Sequence, residues 1–564
     1  MQTRQIQASK KLPPPAAALL IFFVAATFCA GGYYVWCSGL ASLFLIAWIG
    51  WIWYKRKKLV LHKDLLALSA AVIPAAYLLS VFWAVDKGQA LFGFLKTLPI
   101  PLFLVALWQI SPREKQTLIN AIPFIGISMF LLSGAAALLP GVGKNFLVNN
   151  RLAGFLQYPN VFAAYLLCGF LIVLQGESKN GKKLLFCLIL AAGMLVSGSR
   201  TAVFLLAAAL LLYLILKKKP RIFAAALITA AAALGLFWAV FRSSDLFGRY
   251  FVLPWQSSTF LGRLLYFRDS LPVILRHPLG LGYNGYYYLQ GTFQTGVYST
   301  HHVHNELLQL LLDIGWLPTA LVVCAIIQSL RSKSGCKKMV LLFLLAHSML
   351  DFDFQFLAMD FVLLLLMDTQ SGTQKSIDPP SRGMACLAGT AAAVFCLWLT
   401  AADAAMLAGK PEWTEICYPW HTEALIAHLQ QAESVEELDS TADRILRINK
   451  SVSLAYSAKA AAAYAEGDCL AMIDCKQQAI ALNRYALTEY EDYFSRLWDY
   501  MVLYQSQNMT QSAQYCAQCL LEIPSMMHEV ESSTSSLGWK IYDKPNLQLP
   551  EEYMQRLNLL QGRS

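Results

Sequence analysis

Long apolar runs separated by short polar loops organise most of this chain. Runs at about 16–34, 36–54, 65–85, 90–108, 118–139, 159–175, 184–198, 201–216, 222–241, 304–330, 339–351, 354–368 and 384–406 carry few charges. Runs of roughly 17–22 residues are long enough for an α-helix to cross about 30 Å of hydrocarbon. The pattern predicts an all-α fold: a polytopic helical membrane protein of about 12–13 spans over residues 1–406. The runs at 339–351 and 354–368 are short and hold His347, Asp351, Asp353 and Asp360, so a re-entrant pair is the alternative there. A more polar tail follows at 407–564.

Basic residues set the sidedness. They fall at Arg4, Lys10 and Lys11, then Lys55–Lys58, Arg113 and Lys115, Lys179, Lys182 and Lys183, Lys217–Lys219 and Arg221, Arg331, Lys333, Lys337 and Lys338, and Lys375 and Arg382. With these spans every group lies on one face. The excess of Lys and Arg in short cytoplasmic loops places the N-terminus in the cytoplasm and the tail outside. The outer face then holds the loop 140–158, the turn Val196-Ser197-Gly198-Ser199-Arg200, a long segment 242–303, and the tail. A segment of some sixty residues exceeds what a plain connector needs and is expected to be functional.

Within the tail, Ser453–Asn483 is similar to a tetratricopeptide unit. A helix through Ala461, Ala462, Ala463 and Tyr464 is followed by a turn at Gly467-Asp468 and a helix with Ala471, Ala479 and Leu482. Weaker copies are expected at 495–524 and 422–449, stacking so that each buries its neighbour's apolar face. An irregular helical bundle is the alternative.

Composition narrows the function classes. Hydrophobic residues are 57% of the chain and charged residues 14%, against about 25% charge in a soluble domain. The net charge of +10 resides in the loops between spans, so it reports topology and not a nucleic-acid partner. Thirteen cysteines are scattered, many inside apolar runs, where Cys acts as a small hydrophobe. The Cys516–Cys519 pair lies on an expected repeat helix and reads as packing. No Gly-rich phosphate loop with its Lys, no metalloprotease His pair and no paired outer carboxylates occur.

The outer segments gather arginine. Arg151 precedes Tyr158-Pro159-Asn160, Arg200 stands between two apolar runs, and Arg249, Arg263, Arg268 and Arg276 lie in the long loop. Cations are disfavoured on this face, so each needs a reason: an anionic ligand, lipid headgroups, or pairing with Asp245 and Asp269. Guanidinium groups grip phosphate oxygens bidentately and stay charged, which fits a lipid diphosphate. His301-His302-Val303-His304-Asn305-Glu306 directly precedes an apolar run. A metal reading lacks a carboxylate- or Cys-rich partner; a general base near neutral pH and a plain interfacial His are the others. Asn305 is placed to cap the helix and orient His304.

Five stretches, in order, resemble the O-antigen ligase and polymerase family of bacterial envelope enzymes. They are Ser80–Asp86; Arg151–Gly154 with Pro159-Asn160; Gly198-Ser199-Arg200; Gly262-Arg263 followed by His277–Gly282; and His304–Gln309 with Gly315. The resemblance covers about 75–365. It implies a metal-independent, inverting transfer of a glycan from undecaprenyl diphosphate to a lipid, glycan or protein acceptor outside the bacterial plasma membrane, with no cofactor. Protein O-oligosaccharyltransferases belong to the same family, some with repeat-bearing tails. Family function maps onto Arg200 and Arg263, with Arg151, as diphosphate ligands, and onto His304 as the base. His301, His302, Asn305 and Arg268 are secondary candidates. A transporter or flippase for polyprenyl-linked sugars is the competing reading, because transporters also hold charges within interrupted helices.

Overall fold

The computed structural model describes residues 12–176, 180–217, 250, 252, 254–332, 335–369 and 372–562. The expected span at 222–241, Arg249, Asp245, and the basic residues Arg4, Lys10, Lys11, Lys179, Lys218, Lys219, Arg221 and Lys333 lie outside the described residues. Helices dominate, as the apolar runs predict: α1 (Pro14–Phe28), α2 (Val35–Arg56), α3 (Leu65–Leu79), α4 (Ala90–Thr97), α5 (Pro99–Trp108), α6 (Pro112–Ala137), α7 (Pro159–Gln175), α8 (Asn180–Val196) and α9 (Arg200–Lys217). Two further helices follow, α10 (Ser258–Arg276) and α11 (Gly285–Phe293). Then come α12 (Glu306–Ile314), α13 (Trp316–Ser332), α14 (Cys336–Ser348), α15 (Leu357–Leu366) and α16 (Arg382–Leu407). Among the described residues five helical stretches are long and apolar enough to cross a membrane, and further apolar helices are shorter. The protein is a multi-pass membrane protein.

One expected span is broken. The run at 304–330 is two helices, α12 and α13, because Gly315 adopts φ +81° between them. A Cβ there would sit 2.3 Å from the Pro278 carbonyl oxygen, so only glycine fits. The short runs at 339–368 form α14 and α15, joined by a turn that carries Asp351 and Asp353.

Helix α7 is the centre of the membrane part and is buried on all sides from Val161 to Val173. Lipid tails are as apolar as leucine, so close packing and not hydrophobicity must hold such a helix among its neighbours. Gly169 lets it approach α6 at Pro123, and Phe103, Phe361 and Phe22 stack close by. At one end, β1 (Leu59–Lys63) pairs antiparallel with a strand at Thr373–Ile377, and Lys115 Nζ donates to Thr369 Oγ1 at 2.8 Å. Basic loops far apart in sequence therefore meet at that end, while Arg151, Arg200, Arg263 and His304 gather elsewhere, around one cavity.

The tail is a run of helical hairpins: α17 (Pro411–Cys417), α18 (Thr422–Leu429), α19 (Val435–Ile448), α20 (Ser453–Glu466), α21 (Cys469–Leu482), α22 (Leu487–Ser506), α23 (Thr510–Ser533) and α24 (Glu551–Leu560). The α20–α21 hairpin spans the segment expected at 453–483, with Gly467 left-handed at the turn and Asp468 capping α21 through Ala471 N at 3.0 Å. Tyr490, Tyr493, Phe494, Leu497 and Leu520 are buried in its core, each contributing about 1.5–3 kcal/mol. Cys516 and Cys519 pack in the same core.

The tail is docked on the loops that carry Asp86, Gly88 and Thr295. Asn449 donates to Asp86 at 3.1 Å, the Tyr418 hydroxyl to the Gly88 carbonyl at 2.8 Å, and Ser535 N to the Thr295 carbonyl at 2.9 Å. Arg484 donates to the Gln294 carbonyl.

Candidate active site

The family-like stretches are stitched together by backbone hydrogen bonds. Val85 N donates to Leu281 O at 2.9 Å, Leu281 N to Leu312 O at 2.6 Å, and Gly282 N to Asp313 O at 3.0 Å. Three sequence-distant segments thus lie side by side beneath the site, with the indole of Trp83 bonded to Leu279 O at 3.1 Å.

His304 is delivered from this platform. Its backbone is left-handed, at φ +57°, a conformation that L-residues adopt only when their surroundings fix it. Here the next residues do so. Asn305 accepts from Leu308 N at 3.0 Å, capping α12, and donates from Nδ2 to Met349 O at 2.9 Å. Glu306 accepts from Phe354 N at 2.6 Å, and Gln309 accepts from Val303 N at 2.9 Å. The start of α12 is therefore tied to the turn between α14 and α15, which carries Asp351.

Asp351 is the hub. It is buried, with 1% of its side chain exposed, and accepts from Arg263 at 2.8 Å, Asn160 at 2.7 Å, Tyr158 at 3.1 Å and its neighbour Phe352 N at 3.1 Å. His304 Nδ1 lies 3.4 Å from its other face, within ion-pair reach but out of line for a hydrogen bond. Burial opposes the Asp351 charge; the Arg263 guanidinium and the nearby imidazoles outweigh it and hold the carboxyl below its usual range. Asn160 extends the network to Arg151, whose Nη2 donates to Asn160 Oδ1 at 2.5 Å and whose Nε donates to Ser197 O at 2.8 Å. Ser197 opens the turn that presents Arg200 at the head of α9. Arg200 donates to Ser257 Oγ at 2.5 Å and to Val252 O at 3.3 Å, which fixes it against the segment leading into α10.

Arg151, Arg200, Arg263 and His304 line one cavity of about 620 Å³, together with Tyr158, Asn160 and Tyr266 on its polar side and Phe204, Leu205 and Leu350 on its apolar side. This falls within the size of small-molecule and cofactor sites. Among the described residues three guanidinium groups line it and no carboxylate does; the Asp351 carboxylate stands just behind. A second cavity, about 440 Å³ and largely apolar, lies across the 346–349 segment, with Lys96, Glu306 and Asp360 in its wall.

The secondary candidates lie outside the cavity lining. His301 stacks on Tyr287 at 4.0 Å between ring centroids. His302 is buried against Phe352 and Tyr33, and burial keeps it neutral by lowering its pKa well below the ordinary value. Arg268 is five residues past Arg263 on α10, some 140° around the helix at about 100° per residue, and is exposed. Asn305 positions its neighbour, as its cap geometry shows. Among the described residues, no group of three His, Cys, Asp or Glu side chains is arranged to hold a metal ion.

Sequence reasoning did not place Asp351 in the site. The available signal was its position inside an apolar run, where an ionisable residue is costly unless partnered.

No curated protein and no solved structure matches the chain. Residues 185–326, the stretch that contributes Arg200, Arg263 and His304 to the cavity, match the family model described as O-antigen ligase.

Proposed function

We propose that this cavity transfers a glycan from undecaprenyl diphosphate to an acceptor hydroxyl on the outer side of a bacterial plasma membrane, with inversion and without a metal ion. The family match supports O-antigen ligase-like glycan transfer in general. The observation that carries the finer reading is the convergence of three arginines and His304 on one cavity, with His304 Nδ1 turned to a buried carboxylate.

The chemistry follows from that arrangement. The acceptor O–H gives its proton to His304 Nε2, the ring nitrogen left over by the Asp351 contact. The oxygen attacks the anomeric carbon, a new C–O bond forms, and the bond from that carbon to the diphosphate oxygen breaks. The electron pair goes to the diphosphate, whose growing charge Arg151, Arg200 and Arg263 stabilise in place. Asp351 steadies the imidazolium that forms, and a catalytic hydrogen bond that is long before substrate binds is expected to tighten in the reacting complex. Diphosphate is a good leaving group, so the site needs no general acid. The apolar wall at Phe204, Leu205 and Leu350 suits the first isoprene units of the donor. The N-terminus is cytoplasmic on this account, and the tail at 407–564 is an extracytoplasmic domain.

The experiment is transfer from a labelled undecaprenyl-diphosphate glycan by the full chain in proteoliposomes. Arg200→Ala is expected to abolish most transfer and Arg200→Lys to restore only part of it, because an ammonium cannot bond bidentately. Labelled donor that crosses the bilayer without forming a covalent product would favour a transporter instead.

A further inference from the structure

A third cavity has an unlike lining. It is about 480 Å³ and lies between α11 with its following loop and the tail helices α18, α20 and α21. Tyr287, Tyr288 and Tyr298 supply aromatic surface, and Gln290, Gln430 and Asn483 supply amides. Among the described residues Glu423 is its one carboxylate, and no Lys, Arg or His lines it. Such a wall offers nothing to a phosphate or an acidic peptide. It suits a neutral saccharide: a sugar ring lays its C–H face on a tyrosine, and its hydroxyl pairs meet amide and carboxylate groups that donate and accept at fixed spacing.

Its place in the fold adds the second argument. Tyr298 packs on Tyr266 at 4.7 Å between centroids, and Tyr266 lines the arginine cavity. Tyr287, on the other wall, stacks on His301, three residues before His304. Tyr298 and His304 are six positions apart, so their Cα atoms lie within about 22 Å of each other. The lining is also rigid. Tyr298 donates to Asp269 at 3.1 Å, Gln290 accepts from Thr300 N at 3.0 Å, and Tyr288 donates to Glu423 at 3.3 Å, joining the outer loop to the tail across the groove.

We propose that this groove is a saccharide subsite, built jointly by the outer loop and the tail, that holds sugar residues remote from the bond being made. Binding stands on the lining alone; its use for donor or acceptor glycan rests on the transfer reading above.

The test uses the full chain in nanodiscs and, as probe, the soluble oligosaccharide released by mild acid from the host's lipid-linked glycans. Saturation-transfer NMR is expected to show binding to wild type and at least a tenfold weaker affinity in Ser299→Trp and Gln430→Trp, two exposed wall positions where an indole would fill the groove. In the transfer assay, wild type should show a lower KM for a glycan of several sugars than for a single-sugar counterpart, and both variants should erase that difference. If the length effect follows the donor, the groove holds donor glycan; if it follows the acceptor, acceptor glycan. Absence of probe binding by wild type, or unchanged binding in both variants, overturns the subsite. Probe binding without any transfer would leave the subsite standing and count against the transferase.

Discussion

Replacing Asp351 by asparagine tests the hub of the site with almost no change in shape. The two carboxylate oxygens divide the work: Oδ2 accepts from Arg263 and Asn160, and Oδ1 accepts from Tyr158 and Phe352 N and faces His304. An asparagine has one acceptor oxygen, so in either orientation its amide group confronts at least two donors. Hydrogen bonds to charged groups contribute about 1.5–3 kcal/mol each, and a neutral bond about 1 kcal/mol. The orientation that keeps Arg263 is favoured, and it loses the Tyr158 and Phe352 bonds and the anion beside His304. A cost of about 3 kcal/mol at the site follows, and at 1.4 kcal/mol per decade this is roughly a 10²-fold fall in kcat/KM. Asp351→Ala should be worse, because a largely buried Arg263 is then left uncompensated, a loss of about 3–5 kcal/mol that should also lower the melting temperature. Transfer rates and fluorescence-detected melting on purified protein read both effects. An Asp351→Asn enzyme within threefold of wild type, folded and fully loaded with donor, would refute the hub.

Gly315→Ala is expected to destabilise by about 2 kcal/mol or more, since its Cβ meets Pro278 O at 2.3 Å and its φ is +81°, which thermal melting will show. Gln309→Leu unties Val303 N, so it should lower transfer about tenfold while detergent-solubilised protein remains monodisperse. Arg268→Ala, exposed and off the cavity, should leave transfer within twofold. Asp86 gives a pH signature. Burial pushes its carboxyl up to about 6, against the hydrogen bonds it receives from Asn449 and Gln89 N. The folded protein therefore holds this proton more tightly than the unfolded chain, and the penalty for ionising it, about 3 kcal/mol, is full above pH 6 and gone near the ordinary carboxylate range. Stability should rise as pH falls from about 7 to 4, and Asp86→Asn should remove that rise in melts run across pH.

Much of this architecture was legible in the apolar runs, because a helix that faces lipid or other helices on all sides must be apolar throughout. Arg151, Arg200, Arg263 and His304 stood out in the sequence because charge at the ends of such runs needs a partner, and the fold brings these four to one cavity. Three features were not. The break at Gly315 sits inside an apolar stretch, and its cause is a backbone contact with Pro278, almost forty residues away. Asp351 reached the site only through the fold, since nothing near it in sequence marks Arg263 or Asn160 as its partners. The contact of Asp86 with Asn449, like the groove between α11 and the tail, depends on how segments far apart in the chain meet. The stretch Ser80–Asp86 was noted for its likeness to a family; in the structure it both supports the His277–Gly282 loop and anchors the tail. Arg268, on the same helix as Arg263, is carried away from the cavity lining by helical geometry, which spacing in the sequence alone did not separate.

The most direct measurement follows the fate of the bond itself. Wild type and His304→Ala are reconstituted at matched density, donor binding is checked first, and formation of glycan–acceptor product is timed by mass spectrometry. The account predicts equal donor binding, a product rate about 10²–10⁴-fold lower in the variant, and a product of opposite anomeric configuration to the donor in wild type. Equal rates in the two proteins would contradict it, because the imidazole would then have no part in moving the proton.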